Sequence, residues 1–336
     1  MRKRKLISGK IFVRLLTTVL LIAVSFAEAQ QPAKVPRIGW LTDGFLSTTS
    51  ARARVEALRQ GLRELGYVEG KNIVIEQRGA DNIRERGSAL AKELVRLKVD
   101  VIVTAGSGTT RLAKEATSTI PIVMASSDDP VGNGFVASLA RPGGNITGLS
   151  QVTPELSGKR LEILKEVIPK LSRVAVFSTS TAVGNAEVMK EIELTATAFG
   201  VKLQHLDVLT TKDIEPAFRA AIKGRADAVL EIIAGNIRGA HVKELAELAV
   251  KNRLPVMRER PEHVEAGGLM SYGVNLRDLT WRAATYVDKI LKGANPAELP
   301  VEQPKKFEFI INLKAAKQIG LAVPPNVLAR ADRVIR

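Results

Sequence analysis

From Arg37 onward the chain alternates between short runs of β-branched and aliphatic residues and longer stretches whose apolar positions recur at helical spacing. The strand-like runs are Arg37–Leu41, Asn72–Glu76, Asp100–Gly106 and Ile120–Ser126, followed by Arg173–Ser178, Lys202–Val208, Asp227–Ile233, Leu254–Met257 and Gly268–Gly273. Between them, Val55, Leu58, Leu62 and Leu65 fall at i, i+3, i+7 and i+10, and Leu90, Leu94 and Leu97 keep a similar period. The second series has matching helices at Leu161, Leu164 and Ile168 and at Val242, Leu245 and Leu248. A strand that is apolar almost throughout must be covered on both faces, and an amphipathic helix after each strand supplies that cover. The pattern predicts an α/β fold of two Rossmann-like lobes with parallel sheets, and 336 residues are more than one hydrophobic core usually serves.

Between the two series lies Ala140–Ser150, where Pro142-Gly143-Gly144 cannot continue a helix, so this passage is expected to be turn-rich. Beyond Gly273 a helix marked by Leu279, Ala283, Tyr286 and Ile290 leads into the proline-marked segment Leu299–Asn312. The expected division is 35–151 plus about 275–303 for the first lobe, and 152–274 plus about 304–336 for the second.

The first 29 residues have the three parts of an export signal. A basic start (Arg2 to Lys5, Lys10, Arg14) precedes the apolar stretch Leu15–Phe26 and a small-x-small site, Ala27-Glu28-Ala29. Twelve apolar residues are short for a bilayer, so cleavage after Ala29 is expected rather than anchoring. Losing this leader takes the net charge from +15 to +10, because six Lys and Arg leave together with one Glu. The remaining basic residues are interspersed with acids on helix faces and no aromatics accompany them, which argues against nucleic-acid binding. With no cysteine and only three histidines, His205, His241 and His263, thiolate metal sites, a cysteine nucleophile and a histidine metal centre are not expected.

Open parallel sheets bind ligands outside the carboxyl ends of their strands, where loop amides and helix N-termini converge. With two such lobes, both rims should face one cleft. This singles out Thr42, Asp43, Ser107, Thr109, Ser126, Ser127 and Asp128 in the first lobe, and Ser178, Thr179, Asn236, Arg258 and Ser271 in the second. Thr109 or Thr110 is expected to cap the helix after Gly106. Ser107 is not a nucleophile elbow, because Ala105 and Thr109 stand where glycines are required. Gly132-x-Gly134-x-x-Ala137 is too far from its strand for a dinucleotide fingerprint and reads as an ordinary loop–helix junction, while Leu149 replaces the lysine of a phosphate loop. Asp128 and Asp129 are expected to point apart, one as a helix-terminal acid or a contact for a ligand ammonium. No catalytic constellation, cofactor site or metal site emerges.

Several strings resemble the ABC-transporter substrate-binding family related to tryptophan- and tyrosine-type receptors: Asp129–Ser150, Pro154–Pro169, Val264–Leu279, Arg282–Leu321 and Val323–Ile335. The ARPGGN-x-TG and LPVEQP-x-KFE motifs within them are the most specific, and the likeness extends from about Val35 to Ile335. The resemblance implies a type I periplasmic binding-protein fold whose lobes close on a small solute by a hinge motion and deliver it to a membrane permease driven by an ATPase. It implies a non-enzymatic, monomeric receptor in the periplasm. A receptor presenting its solute to a membrane signalling protein, or a periplasmic enzyme, is the alternative. This sequence departs from its relatives at Phe177–Ser180, Ala234–Asn236, Arg258 and Pro261–His263, which puts an aromatic amino-acid ligand in doubt. Arg258 suits a carboxylate-bearing or amino acid-like solute, in which case Arg258→Ala should weaken binding at least tenfold; the competing reading bonds it to Glu259 or Glu262.

Overall fold

The computed structural model describes residues 35–151, 154–182, 184–233 and 241–336. The export-signal residues and Asn236 therefore lie outside the described residues. The first sheet contains β1 (Arg37–Thr42), β2 (Val74–Gly79), β3 (Val101–Thr104), β4 (Ile122–Asp128) and β5 (Ile146–Gln151). The helices α1 (Thr49–Glu64), α2 (Arg84–Arg96) and α3 (Ser107–Ala116) lie between successive strands. The spatial order is β2-β1-β3-β4-β5 and every pair is parallel.

The second sheet repeats this plan. After α4 (Pro154–Val167) come β6 (Arg173–Ser178), α5 (Asn185–Phe199), β7 (Lys202–Asp207), α6 (Ile214–Lys223), β8 (Ala228–Ile232), α7 (Val242–Lys251), β9 (Val256–Arg258), α8 (Pro261–Glu265) and β10 (Met270–Val274). These strands run β7-β6-β8-β9-β10, the same order as in the first sheet. After α9 (Leu276–Leu291), the strand β11 (Phe307–Asn312) joins β10 antiparallel. Following α10 (Leu313–Ile319) and α11 (Pro325–Leu328), β12 (Arg333–Ile335) completes the sheet.

Each sheet is apolar on both faces. In the first, Ile38 and Trp40 pack with Val55, Leu58 and Leu62 of α1, whereas Leu41 and Ile102 pack with Leu94 of α2 and Leu112 of α3. In the second, Val174 and Val176 meet α4 and α5, and Ala175 and Phe177 meet α6 and α7. The chain crosses between the sheets three times, at β5–α4, β10–α9 and the stretch from Glu302 to β11. Leu279, Ala283 and Val287 of α9 thus belong to the core of the first sheet although they follow a strand of the second.

In the strand pattern, sequence and structure differ at two segments. Ala140–Ser150 is turn-rich only in its first half. From Ile146 it is the edge strand β5, since Ile146 and Leu149 are buried and the passing Glu302 backbone pairs with it. The segment containing Phe307–Asn312 is a strand that reverses the parallel pattern, because it runs on directly from Glu302, which lies parallel to β5 of the first sheet.

Local sequence sets the helix contacts. Thr48 caps α1 by accepting from the Ala51 amide at 3.2 Å, and Asn275 caps α9 through the Asp278 amide at 2.9 Å. Where the two helices cross, Gly61 lets α9 approach so closely that a Cβ there would lie 2.5 Å from the Trp281 carbonyl oxygen. Glycine-to-alanine changes inside helices ordinarily stabilise. Gly61→Ala is expected to do the opposite, lowering unfolding free energy by about 2 kcal/mol through overpacking. Urea unfolding checks the sign.

Candidate functional site

Both sheets change winding direction at their first strand, between β1 and β3 and between β6 and β8, and α/β sheets open a crevice at such points. At the first of these, Asp43 lies against the N-terminus of α3: a Cβ on Gly108 would come within 3.0 Å of both its carboxylate oxygens. Gly108 therefore leaves room for the close approach of Asp43, an acid placed at a helix N-terminus. Thr42 ends β1 and is buried, its carbonyl accepting from the Ala80 amide at 2.9 Å.

The hydroxyls expected in this rim turn inward. Ser107 Oγ accepts from the Asp128 amide at 2.9 Å and lies 3.1 Å from Ser127 Oγ, tying α3 to the end of β4. Thr109 and Thr110 do not cap α3, which starts one turn earlier at Ser107. Both donate to the Gly106 carbonyl, at 3.0 and 2.9 Å, and both are fully buried. Ser126, also fully buried, accepts from Arg54 Nη2 at 3.0 Å.

Arg54 was not singled out in the sequence, yet it organises this rim. Its guanidinium also donates to the Ala105 carbonyl at 3.1 Å and approaches Thr280 Oγ1 at 3.4 Å, and it lies 5.8 Å from the centre of the Trp40 ring. Burial, with Arg260 adding to it, brings its pKa down to about 10 against the opposing pull of Glu262 and Asp43. Ser50 of α1 donates to Glu262 Oε1 of α8 at 2.7 Å, a direct bond between helices of the two sheets. Burial alone would raise the Glu262 carboxyl; Arg260, the Ser50 hydroxyl, its own amide and Arg54 outweigh that and hold it below the usual carboxylate range.

On the second lobe, Ser178 is buried at the end of β6 and Thr179 Oγ1 donates to the Val208 carbonyl at 3.1 Å. Ser271 is buried in β10, in register with Arg258 of β9. Arg258 forms an ion pair with Glu231 at the end of the neighbouring strand β8, a carboxylate that the sequence reading did not weigh. Beside them, His263 is fully buried, neither ring nitrogen has a hydrogen-bond partner among the described residues, and a Cβ on Gly268 would collide with Nε2 at 2.1 Å.

Burial, assisted by the Arg258 charge, pushes His263 well below its ordinary value. The unfolded chain then binds a proton that the native chain refuses. Stability is full above the ordinary histidine range and falls as pH drops below about 6.5, by at most about 1.4 kcal/mol per pH unit. Urea titrations at pH 7.5 and 5.5 should show this loss, and His263→Gln should flatten it.

Between the lobes lies a cleft of about 360 Å³. One wall is the end of β4 and β5 (Asp128, Asp129, Ser150, Gln151). The other comes from the first turns of α4 and α5 (Glu155, Glu187) and the end of β8 (Ile232, Ile233). Arg160, buried at its rim, donates Nε to the Tyr272 carbonyl at 2.7 Å and Nη1 to Ser157 Oγ at 3.1 Å, and its Nη2 lies 3.9 Å from Glu259. Of the described residues expected from sequence, Asp128 lines this cleft. Asp129 lines it too, its backbone turned to φ +34° and its Oδ1 accepting from the Gly132 amide at 2.8 Å. Gly132–Gly134 is thus a turn rather than a loop–helix junction, and the two aspartates have different partners, Asp128 Oδ2 accepting from Ser107 Oγ at 3.4 Å and Asp129 Oδ1 from the Gly132 amide.

Twin parallel lobes of the same strand order, three crossings and a cleft between the strand ends define the type I periplasmic binding-protein fold. The model of the ABC transporter substrate-binding protein family matches residues 43–335, and the chain belongs to that family. It is 26% identical over 262 residues to a tyrosine-binding protein of Clostridioides difficile, covering 78% of this chain and 75% of that one. Among solved structures it resembles a conserved domain protein from Vibrio cholerae (28% identity, TM-score 0.80, 90% of this chain and all of that one). It also resembles an ABC domain in complex with L-Trp from Streptococcus pneumonia (25% identity, TM-score 0.79, 89% and 99% of the two chains).

Proposed function

We propose that this chain is the solute-capturing component of an ABC importer, exported to the periplasm with loss of its leader. It takes a small amino acid-like solute between its lobes as a monomer and presents the closed form to a membrane permease and its ATPase. The lobes are taken as 35–151 with about 275–303, and 152–274 with about 304–336, joined at the three crossings. The observation that carries the reading is the interlobe cleft, of ligand size, in a chain matched to the family model almost throughout. A solute touching both walls is bound fully only when they close, so binding drives the hinge. The relatives' tyrosine and tryptophan support an amino acid-like solute. Catalysis is not part of the proposal; the cleft is read as a binding site.

Thermal unfolding of the mature protein against amino acids, diamines, dicarboxylates, nucleosides and sugars tests this. A ligand at 100 times its Kd adds about 2.7 kcal/mol, a shift of several degrees. A saturable shift from one chemical class is expected; turnover of the bound compound into a product would contradict the receptor reading.

A further inference from the structure

The lining of the cleft identifies the class of solute, and this inference rests on the receptor reading above. Five acidic residues line it: Asp128 and Asp129 at the end of β4, Glu155 and Glu187 in the first turns of α4 and α5, and Glu259 after β9. Of these, Asp128 accepts from Ser107, Asp129 from the Gly132 amide, and Glu259 pairs with Arg160 and Arg260. A single glutamate at a helix N-terminus is an ordinary partner of the helix dipole. Here two such helices and a strand end converge on one cavity. Arg160 is the one basic side chain among the described lining residues, and its guanidinium is directed to Tyr272, Ser157 and Glu259. Arg258, the other arginine suited to an anion, is held by Glu231.

Two further observations define the rest of the solute. The walls between the carboxylates are aliphatic, with Val131, Leu139 and Ile232 among them, and no aromatic ring lines the cleft among the described residues. An indole or phenol therefore finds no stacking partner there, whereas an alkyl chain finds matching surface. Gln151, lining the same cleft, has its Nε2 buried without a hydrogen-bond partner among the described residues, a donor available to an acceptor oxygen of the occupant.

We propose that the solute is a basic amino acid or a close analogue: an alkyl chain bearing an ammonium or guanidinium group, with a carboxyl or carbonyl oxygen for Gln151. A dicarboxylate meets like charge on both walls, while a cation is drawn in.

Isothermal titration of the mature chain with L-lysine, L-arginine, L-leucine, L-tyrosine and glutarate is the test, at low and high salt and repeated on Glu155→Gln/Glu187→Gln. L-lysine or L-arginine should bind, more weakly at high salt, and the double variant should lose at least tenfold in affinity while its circular dichroism stays unchanged. Glutarate should not bind. Tighter binding of L-tyrosine than of either basic amino acid overturns the charge inference and leaves the receptor reading standing. No binding by any of the five overturns the inference as well. If the protein also retains nothing from a metabolite extract, the receptor reading fails with it.

Discussion

Replacing Arg258 by alanine is expected to lower the unfolding free energy by about 3–5 kcal/mol, because it leaves the Glu231 carboxylate buried opposite a cavity. Both residues are almost sealed from solvent, at 3% and 2% exposure, and they sit on adjacent strands where neither can swing out to water. Taking both charges away should cost much less, since an apolar pair of similar volume avoids the desolvation of two ions. Glu231→Leu/Arg258→Met is therefore expected to recover most of the loss. Urea unfolding of the single and double variants decides this. A loss below about 1 kcal/mol for Arg258→Ala would mean that the pair is solvated, and would return Arg258 to the candidates for a ligand carboxylate.

Arg54→Met should have the next largest effect, about 3 kcal/mol, for a different reason. The guanidinium is a hub of hydrogen bonds rather than half of one ion pair. Without it, the Ala105 carbonyl and the Ser126 hydroxyl lose a buried donor, and α1 loses its polar link to β3, β4 and α9. Glu262 would also lose one of the cations that hold its carboxyl down. A depressed carboxyl contributes stability above its unfolded pKa and loses it as pH falls through the folded value. The variant should thus show a smaller difference in stability between pH 7 and pH 3 than the parent. Equal differences would show that Arg54 does not act on Glu262. Arg54→Lys should rescue little, since an ammonium cannot reach three acceptors in one plane.

Most of the frame could be read from residues. Runs such as Asp100–Gly106 and Asp227–Ile233 have no polar face, which forces two-sided cover, and the helical periods at Val55 and Leu161 supply it. Strand β5 was harder to see, because the backbone of Glu302, far along the chain, closes its outer edge by donating to the Gly148 carbonyl, and β11 because it pairs antiparallel with β10 across an intervening helix. The rim was legible as a place and less so as a set of contacts. Strand ends pointed to Ser107, Ser126 and Asp128, but which hydroxyls turn inward depends on partners from other elements. Arg54 did leave a signal: it lies four residues before Leu58 and seven before Gly61, on the apolar stripe of α1, where a charge needs a buried partner. Glu155 and Glu187 left none, since an acid in the first turn of a helix is ordinary until two of them face one cavity.

The central claim is that one small molecule sits between the lobes. Native mass spectrometry of the mature chain after exposure to a metabolite extract tests it most directly, in parallel with Ala182→Trp, which puts an indole into the cleft that Ala182 lines. The account predicts one retained small molecule per chain for the parent and none for the variant. Retention by both, or by neither, would contradict it.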